Sequence, residues 1–202
     1  MITLMKIGPY NSIKKGLTKY ESLKLLTLNK FDTEINQIQM MECLKNKETF
    51  FLKFDCIVVS KFNRAQSTVK CLLDNKFLKN NITIKDSSDL NEILFDVGSL
   101  CTKNEYNKFG SNIIRRRFLD YFVNDNLAET QQQIRLRIEN IERYLGFLDK
   151  KYKNILCISH TFFIKLFLIY RKNKGLFTEP HIIKKFIDTE EKIMQFCETN
   201  NI

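Results

Sequence analysis

Four short apolar runs recur along the chain, separated by longer stretches in which apolar positions follow a helical period. The runs are rich in β-branched residues, and their apolar positions are continuous, which is typical of strands buried on both faces of a parallel sheet. We therefore predict buried strands at ITLMKI (2–7), CIVVS (56–60), ITIKD (82–86) and ILCIS (155–159).

The stretches between these runs have the pattern of amphipathic helices. The longest, 128–152, carries its apolar residues on one face at Ile134, Ile138, Ile141, Leu145 and Leu148. In 32–46 the predicted apolar face consists of Ile35, Ile38, Met41 and Leu44. Helices are also predicted at 64–75 and 161–172, directly after the second and fourth strands. This alternation predicts an α/β fold, a three-layer α/β/α sandwich with a mostly parallel central sheet.

The length of 202 residues and the scarcity of glycine and proline predict a single domain without a flexible linker. Within this domain, 1–202, we expect a mainly helical insertion at about 100–126 and a C-terminal helix at about 178–199. No run of eighteen apolar residues exists, so we expect no membrane partner. The sequence contains no indication of oligomeric state.

Composition limits the chemistry further. Six cysteines occur without a CxxC pair or a zinc-like spacing, so we expect no metal and no cofactor. Free thiols and the absence of a secretory signal at the start favour an intracellular protein, cytoplasmic or nuclear. The 33 basic and 23 acidic residues give a net charge of +10, which favours anionic partners. The basic residues are dispersed except for Arg115, Arg116 and Arg117, which keep binding to nucleic acid or a large assembly open as an alternative.

Two predicted strands end in serine, and a cationic or titratable side chain begins the helix that follows. Ser60 is followed by Arg64, and Ser159 by His160. Ligands of open α/β sheets bind at the carboxyl ends of the strands, where helix N-termini and arginine favour an anion. Arg64 and His160 thus form a candidate oxyanion pocket, although a surface arginine and a hydrogen-bonded interior histidine fit the pattern equally well. Glu92 follows the third strand and is a candidate general acid, or else an exposed loop carboxylate.

Four segments in this order resemble the histidine phosphatase superfamily, the phosphoglycerate mutase-like fold. IVVSKFNRAQSTVKCLL (57–73) is similar to its Ser-x-x-x-Arg-Ala-x-x-Thr segment, and NILCISHTFFIKLFL (154–168) to its second histidine motif. LNEI (90–93) is similar to the loop that carries the acid glutamate. AETQQQIRLRIENIERYL (128–145) is similar to the long helix between that loop and the second histidine. The resemblance implies that Lys6, Arg64 and His160 bind phosphate and that Glu92 occupies the place of the acid.

The first strand departs from the family pattern. There the resemblance implies arginine, then the histidine that becomes phosphorylated, whereas LMKIGPYN (4–11) has Lys6 and Ile7. Isoleucine cannot act as a nucleophile, and lysine lacks the planar fork that grips phosphate. The only other histidine, His181, lies beyond the matched motifs, and Cys56 and Cys157 are expected to pack inside their strands.

Three interpretations follow. The first is a catalytically inactive histidine-phosphatase-like protein that binds a phosphorylated ligand or phosphoprotein, or acts as a protein-interaction scaffold. The second is a weak or altered phosphomonoesterase that uses Arg64, His160 and Glu92. The third is a protein that binds nucleic acid or an assembly through its basic surface. The missing nucleophile favours the first.

Overall fold

A computed structural model describes residues 1–173 and 199–201, and its centre is a sheet with the strand order β3-β2-β4-β1-β5. Strands β1 to β4 pair in parallel, and β5 lies antiparallel to β1. The strands are β1 (Ile2–Lys6), β2 (Cys56–Ser60), β3 (Thr83–Ser87), β4 (Ile155–Ser159) and β5 (Thr199–Asn201). The predicted mostly parallel sheet is confirmed.

Helices occupy most of the remaining described residues. They are α1 (Lys19–Thr27), α2 (Gln37–Leu44), α3 (Glu48–Phe51), α4 (Asn63–Asp74), α5 (Val97–Leu100), α6 (Lys103–Phe109), α7 (Ser111–Val123), α8 (Gln131–Asp149) and α9 (Thr161–Lys172), with one turn of 3-10 helix at Ser88–Leu90. None of these helices combines the length and apolar character needed to cross a bilayer.

Two apolar clusters, one on each face of the sheet, form the core. Neighbouring residues of one strand enter different clusters: Leu4 packs with side chains of α7, α8 and α9, and Met5 packs with side chains of α2, α3 and α4. Because successive side chains of a strand point to opposite faces, a strand covered on both sides must be apolar throughout. This arrangement explains the continuous apolar runs and confirms the three-layer sandwich.

The predicted apolar face of α8 is confirmed, since all five of its residues are buried. The prediction for 32–46 is wrong in part. The helix begins only at Gln37, because the Asn36 side chain accepts a hydrogen bond from the backbone N–H of Gln39 and caps it. The buried face of this shorter helix contains Met40, whereas Ile38 is 76% exposed.

The third predicted strand also differs from expectation. β3 forms an edge of the sheet, and its residues alternate between half-buried and exposed, so it is not a buried strand. The predicted helical segment at about 100–126 contains α6 and α7. The helix predicted at about 178–199 falls on residues outside the described part of the chain, except for its last residue, which begins β5.

Candidate functional site

A cavity of about 170 Å³ opens at the carboxyl edge of β1 and β4. The parallel pairing places the last residues of these strands, Lys6 and Ser159, opposite each other, so both turns that follow reach the same edge. Six residues singled out from the sequence line this one cavity: Lys6, Ile7, Arg64, Glu92, Arg115 and His160.

Arg64 lies in the first turn of α4 and is almost fully buried. Its Nη1 forms an ion pair with Asp32 Oδ1 at 2.6 Å, and its Nε–H donates to Nδ1 of His160 at 3.3 Å. The guanidinium carbon lies 4.5 Å from the centre of the Phe62 ring. Three partners therefore hold the guanidinium in place, and a surface arginine is excluded.

His160 is 1% exposed, and protein groups contact both of its ring nitrogens. Nδ1 accepts from Arg64, and Nε2 lies 2.8 Å from Ser60 Oγ. The Ser60 hydroxyl itself donates to Asn91 Oδ1 at 2.9 Å, so its oxygen is the acceptor for an Nε2–H group of His160. This chain of bonds requires a neutral imidazole. Burial, followed by the nearby charges of Arg64 and Arg137, holds the pKa of His160 well below its ordinary value.

Glu92 reaches the N-terminus of α9 rather than open solvent. Its carboxylate accepts hydrogen bonds from the backbone N–H groups of Phe163 at 3.0 Å and Phe162 at 3.4 Å. His160, the residue that precedes α9, makes no side-chain cap, so Glu92 takes the position of a capping acceptor. Burial raises the pKa of Glu92, and the Phe163 N–H and the Arg64 charge oppose that rise.

Ile7 is 2% exposed and belongs to the same apolar cluster as Met40. Its backbone N–H donates to the Ser159 carbonyl at 2.9 Å and thereby extends the β1–β4 pairing beyond Lys6. The next residue, Gly8, passes so close to Met40 that an added Cβ would lie 2.5 Å from its Sδ atom. The turn after β1 is therefore tightly packed, and it presents Ile7 to the cavity.

The three clustered arginines of α7 point in different directions. Arg115 lines the cavity, Arg116 is exposed, and Arg117 pairs with Glu105 at 2.7 Å and donates to the Leu100 carbonyl at 2.8 Å. The cluster is thus not one basic surface. Binding to nucleic acid or an assembly stays a prediction.

An ion pair between half-buried Arg137 and buried Glu129 supports the loop that carries Glu92. The Nε atom of Arg137, on α8, lies 3.2 Å from Oε1 of Glu129, and Nη2 of Arg137 donates to the Asn91 carbonyl at 2.8 Å. Glu129 in turn accepts from the Leu94 backbone N–H at 3.2 Å. The loop is therefore held on both sides of Glu92.

Sequence reasoning missed Asp32, Asn91 and Arg137. Asn91 adjoins Glu92 and follows a predicted strand, which is a signal that could have identified it. Asp32 and Arg137 meet the site only through tertiary packing. Within residues 1–173 and 199–201, no group of three or more potential metal ligands is arranged as a metal site.

Comparisons with known proteins identify the fold. No family model and no curated protein matches the sequence. Among solved structures, phosphoserine phosphatase from Entamoeba histolytica with 3-phosphoglyceric acid is similar at a TM-score of 0.57 and 16% identity, covering 98% of this chain and 87% of that one. Alpha-ribazole phosphatase from Shigella flexneri is similar at a TM-score of 0.53 and 21% identity, and the match covers 84% of this chain and 78% of that one. A mycobacterial glucosyl-3-phosphoglycerate phosphatase with VO3 is similar at a TM-score of 0.56 and 14% identity, and the match covers 88% of this chain and 82% of that one.

These three neighbours are phosphatases, and the identities are at a level where similarity shows the fold alone. The chain shares the α/β fold of these phosphatases, which confirms the predicted phosphoglycerate mutase-like fold.

Proposed function

We propose that this protein is a non-catalytic relative of the histidine phosphatases that binds a small phosphorylated ligand in the cavity at the carboxyl edge of the sheet. The identity and burial of Ile7 carry the proposal. An isoleucine stands where the family resemblance places the phosphorylated histidine, and it has no lone pair for nucleophilic attack.

Two nearby side chains, His160 and Cys157, are candidates for a replacement nucleophile, and neither is suited to that role. Both nitrogens of His160 are engaged by Arg64 and Ser60. Cys157 is fully buried within β4, and burial raises the pKa of its thiol, which disfavours the nucleophilic thiolate.

The charges around the cavity favour an anion. Lys6, Arg64 and Arg115 contribute positive charge, against the carboxylates of Glu92 and Asp32. Among the described residues, these three cations and two carboxylates leave one positive charge in excess, which is complementary to a phosphate group. His160 fixes the orientation of Arg64, whereas its direct contact with phosphate stays a prediction. Two structural neighbours were solved with anions, 3-phosphoglyceric acid and VO3, which agrees with an anion in this fold.

Isothermal titration with inorganic phosphate, at constant ionic strength, tests the binding function. Arg115 and Arg116 are adjacent on α7, but only Arg115 lines the cavity. We expect Arg115→Met to weaken phosphate binding about tenfold through loss of a charge-assisted hydrogen bond. Arg116→Met is the matched control and should change the affinity less than about twofold. Equal effects of the two variants, or no phosphate binding by the wild type, would contradict the proposal.

Hydrolysis of p-nitrophenyl phosphate tests the absence of catalysis. The wild type should give no turnover above a blank, whereas a Lys6→Arg, Ile7→His variant should gain activity if the remaining pocket is intact. Wild-type turnover that disappears in His160→Gln would instead support the altered phosphomonoesterase. Melting temperatures of all variants show whether each one is folded.

A further inference from the structure

The cavity has two chemically different sides. Its cationic side lies at the strand ends and consists of Lys6 and Arg64, with Arg115 reaching in from α7. Its other side is apolar and consists of Leu23, Leu26, Phe95, Ile114 and Phe162. A small inorganic anion would therefore occupy only the cationic side.

The apolar side is a built wall backed by an aromatic cluster. The Phe95 and Phe162 rings meet edge to face at a centroid distance of 5.1 Å, and Phe162 stacks on Phe118 at 4.0 Å. Phe95 also meets Phe118 edge to face at 5.2 Å. Each ring thus contacts the other two, so the wall is preorganised to accept an apolar group.

The cavity lining includes four hydroxyl side chains, those of Tyr10, Thr27, Ser111 and Thr161, but the side chains of the apolar wall have no hydrogen-bond donor or acceptor. The Thr27 hydroxyl donates to the Leu23 carbonyl of its own helix at 3.0 Å. A sugar or glycerate body would place hydroxyl groups against aromatic and aliphatic carbon, where unpaired polar groups are costly.

We propose that the ligand is an organic monophosphate with a compact aryl or other apolar body. Its phosphate lies toward Lys6, Arg64 and Arg115, and its body lies against Leu23, Phe95 and Phe162. This inference rests on the proposed function, because it requires an anion at the cationic side. The cavity of about 170 Å³ suits a body of one ring rather than a folded peptide.

Phenylphosphonate tests the proposal, since its carbon–phosphorus bond resists hydrolysis. Isothermal titration should show that it binds at least about tenfold more tightly than inorganic phosphate or 2-hydroxyethylphosphonate, because only its ring buries apolar surface. Phenol, which has the ring without the anion, should bind more weakly than phenylphosphonate.

A pair of variants on α1 assigns the effect to the wall. Leu23 lines the cavity, whereas Leu25 is also half-buried but lies outside the lining. Leu23→Asn should remove most of the advantage of phenylphosphonate over inorganic phosphate, measured as the ratio of the two affinities. Leu25→Asn should leave both affinities unchanged.

The outcomes separate this inference from the proposed function. If inorganic phosphate binds and phenylphosphonate gains nothing over it, the apolar body is wrong and the anion site stands. If phenol binds as tightly as phenylphosphonate, the cationic side contributes nothing and the inference is overturned. If neither phosphate nor phosphonate binds, both proposals fail.

Discussion

The carboxyl ends of β1 and β4 lie side by side, yet they differ in chemistry. Lys6 and Ser159 are partners in the parallel register, and the residue after each faces the same cavity. After β1 that residue is Ile7, packed in the apolar core, and after β4 it is His160, bonded through both ring nitrogens. The backbone frame is therefore similar at both ends, although one end has no titratable group at this position.

The difference shows that a polar site can persist for structural reasons. Each member of the chain Arg64–His160–Ser60 satisfies a buried neighbour, so removal of one leaves others without a partner. The Ile7 side chain carries no such constraint, because it has no polar atom and contributes by apolar packing. The presence of Arg64 and His160 is thus compatible with a protein that performs no catalysis.

The largest expected effect comes from a substitution in the hydrogen-bonded network of Arg64, His160 and Ser60 at the end of β4. Arg64→Met removes the buried partner of Asp32 and leaves Nδ1 of His160 without its donor. We expect the free energy of unfolding to fall by about 3 kcal/mol, the lower end of the range for breaking a buried ion pair, because Asp32 is half-buried and keeps the Asn63 N–H as a donor. Equilibrium unfolding in urea measures this loss.

Lys61→Met is the matched control for that variant. Lys61 pairs with Asp86 at 3.6 Å, and both side chains are more than half exposed. Its loss should cost less than about 1 kcal/mol. A similarly small cost for Arg64→Met would show that the polar network does not stabilise the end of β4.

A second prediction sharpens the contrast through pH. Because the folded pKa of His160 lies well below its unfolded value, the unfolded state binds the extra proton as the pH falls. The stability contributed by neutral His160 is thus fully present above the unfolded pKa and is lost on acidification. Between about pH 8 and pH 5.5 the loss should reach about 1.4 kcal/mol.

His160→Gln should remove this difference in unfolding free energy between the two pH values. Ile7→Val, at the end of β1, should lower the free energy of unfolding by about 0.5–1.5 kcal/mol at both pH values. The dependence of its unfolding free energy on pH should stay that of the wild type. Glu92, whose pKa is raised, contributes with the opposite sign and is present in all three proteins. An unchanged slope in His160→Gln would contradict a buried neutral imidazole.

Much of the frame around these strand ends could be predicted from the sequence. The runs 56–60 and 155–159 coincide with β2 and β4, because strands covered on both faces must be apolar throughout and each run ends at a serine. The meeting of Lys6, Arg64 and His160 at one cavity follows from the parallel sheet, in which all carboxyl ends share an edge.

What could not be predicted depends on distant partners. Asp32 reaches Arg64 from the segment before α2, and nothing in the apolar spacing of that segment signals an ion pair with a residue of α4. The role of Glu92 as a cap for α9 likewise joins residues seventy positions apart. Periodicity reports local structure and the side that is buried, but not which polar groups pair across the fold.

The smallest expected effect concerns Glu92, which lines the cavity with His160 and would repel the anion that we propose binds there. Glu92→Gln removes one negative charge and keeps an oxygen that accepts from the N–H groups of α9. Sulfate, whose charge is constant near neutrality, should bind about threefold or more tightly to this variant. Asp149→Asn is the control that removes the same charge, because Asp149 lies beside the N-terminal amine at the opposite edge of the sheet. This variant should leave the sulfate affinity unchanged.

Because burial raises the pKa of Glu92, acidification should neutralise the wild-type carboxyl and bring its sulfate affinity toward that of Glu92→Gln. A constant ratio of the two affinities at all pH values would show that the Glu92 carboxylate does not face the anion.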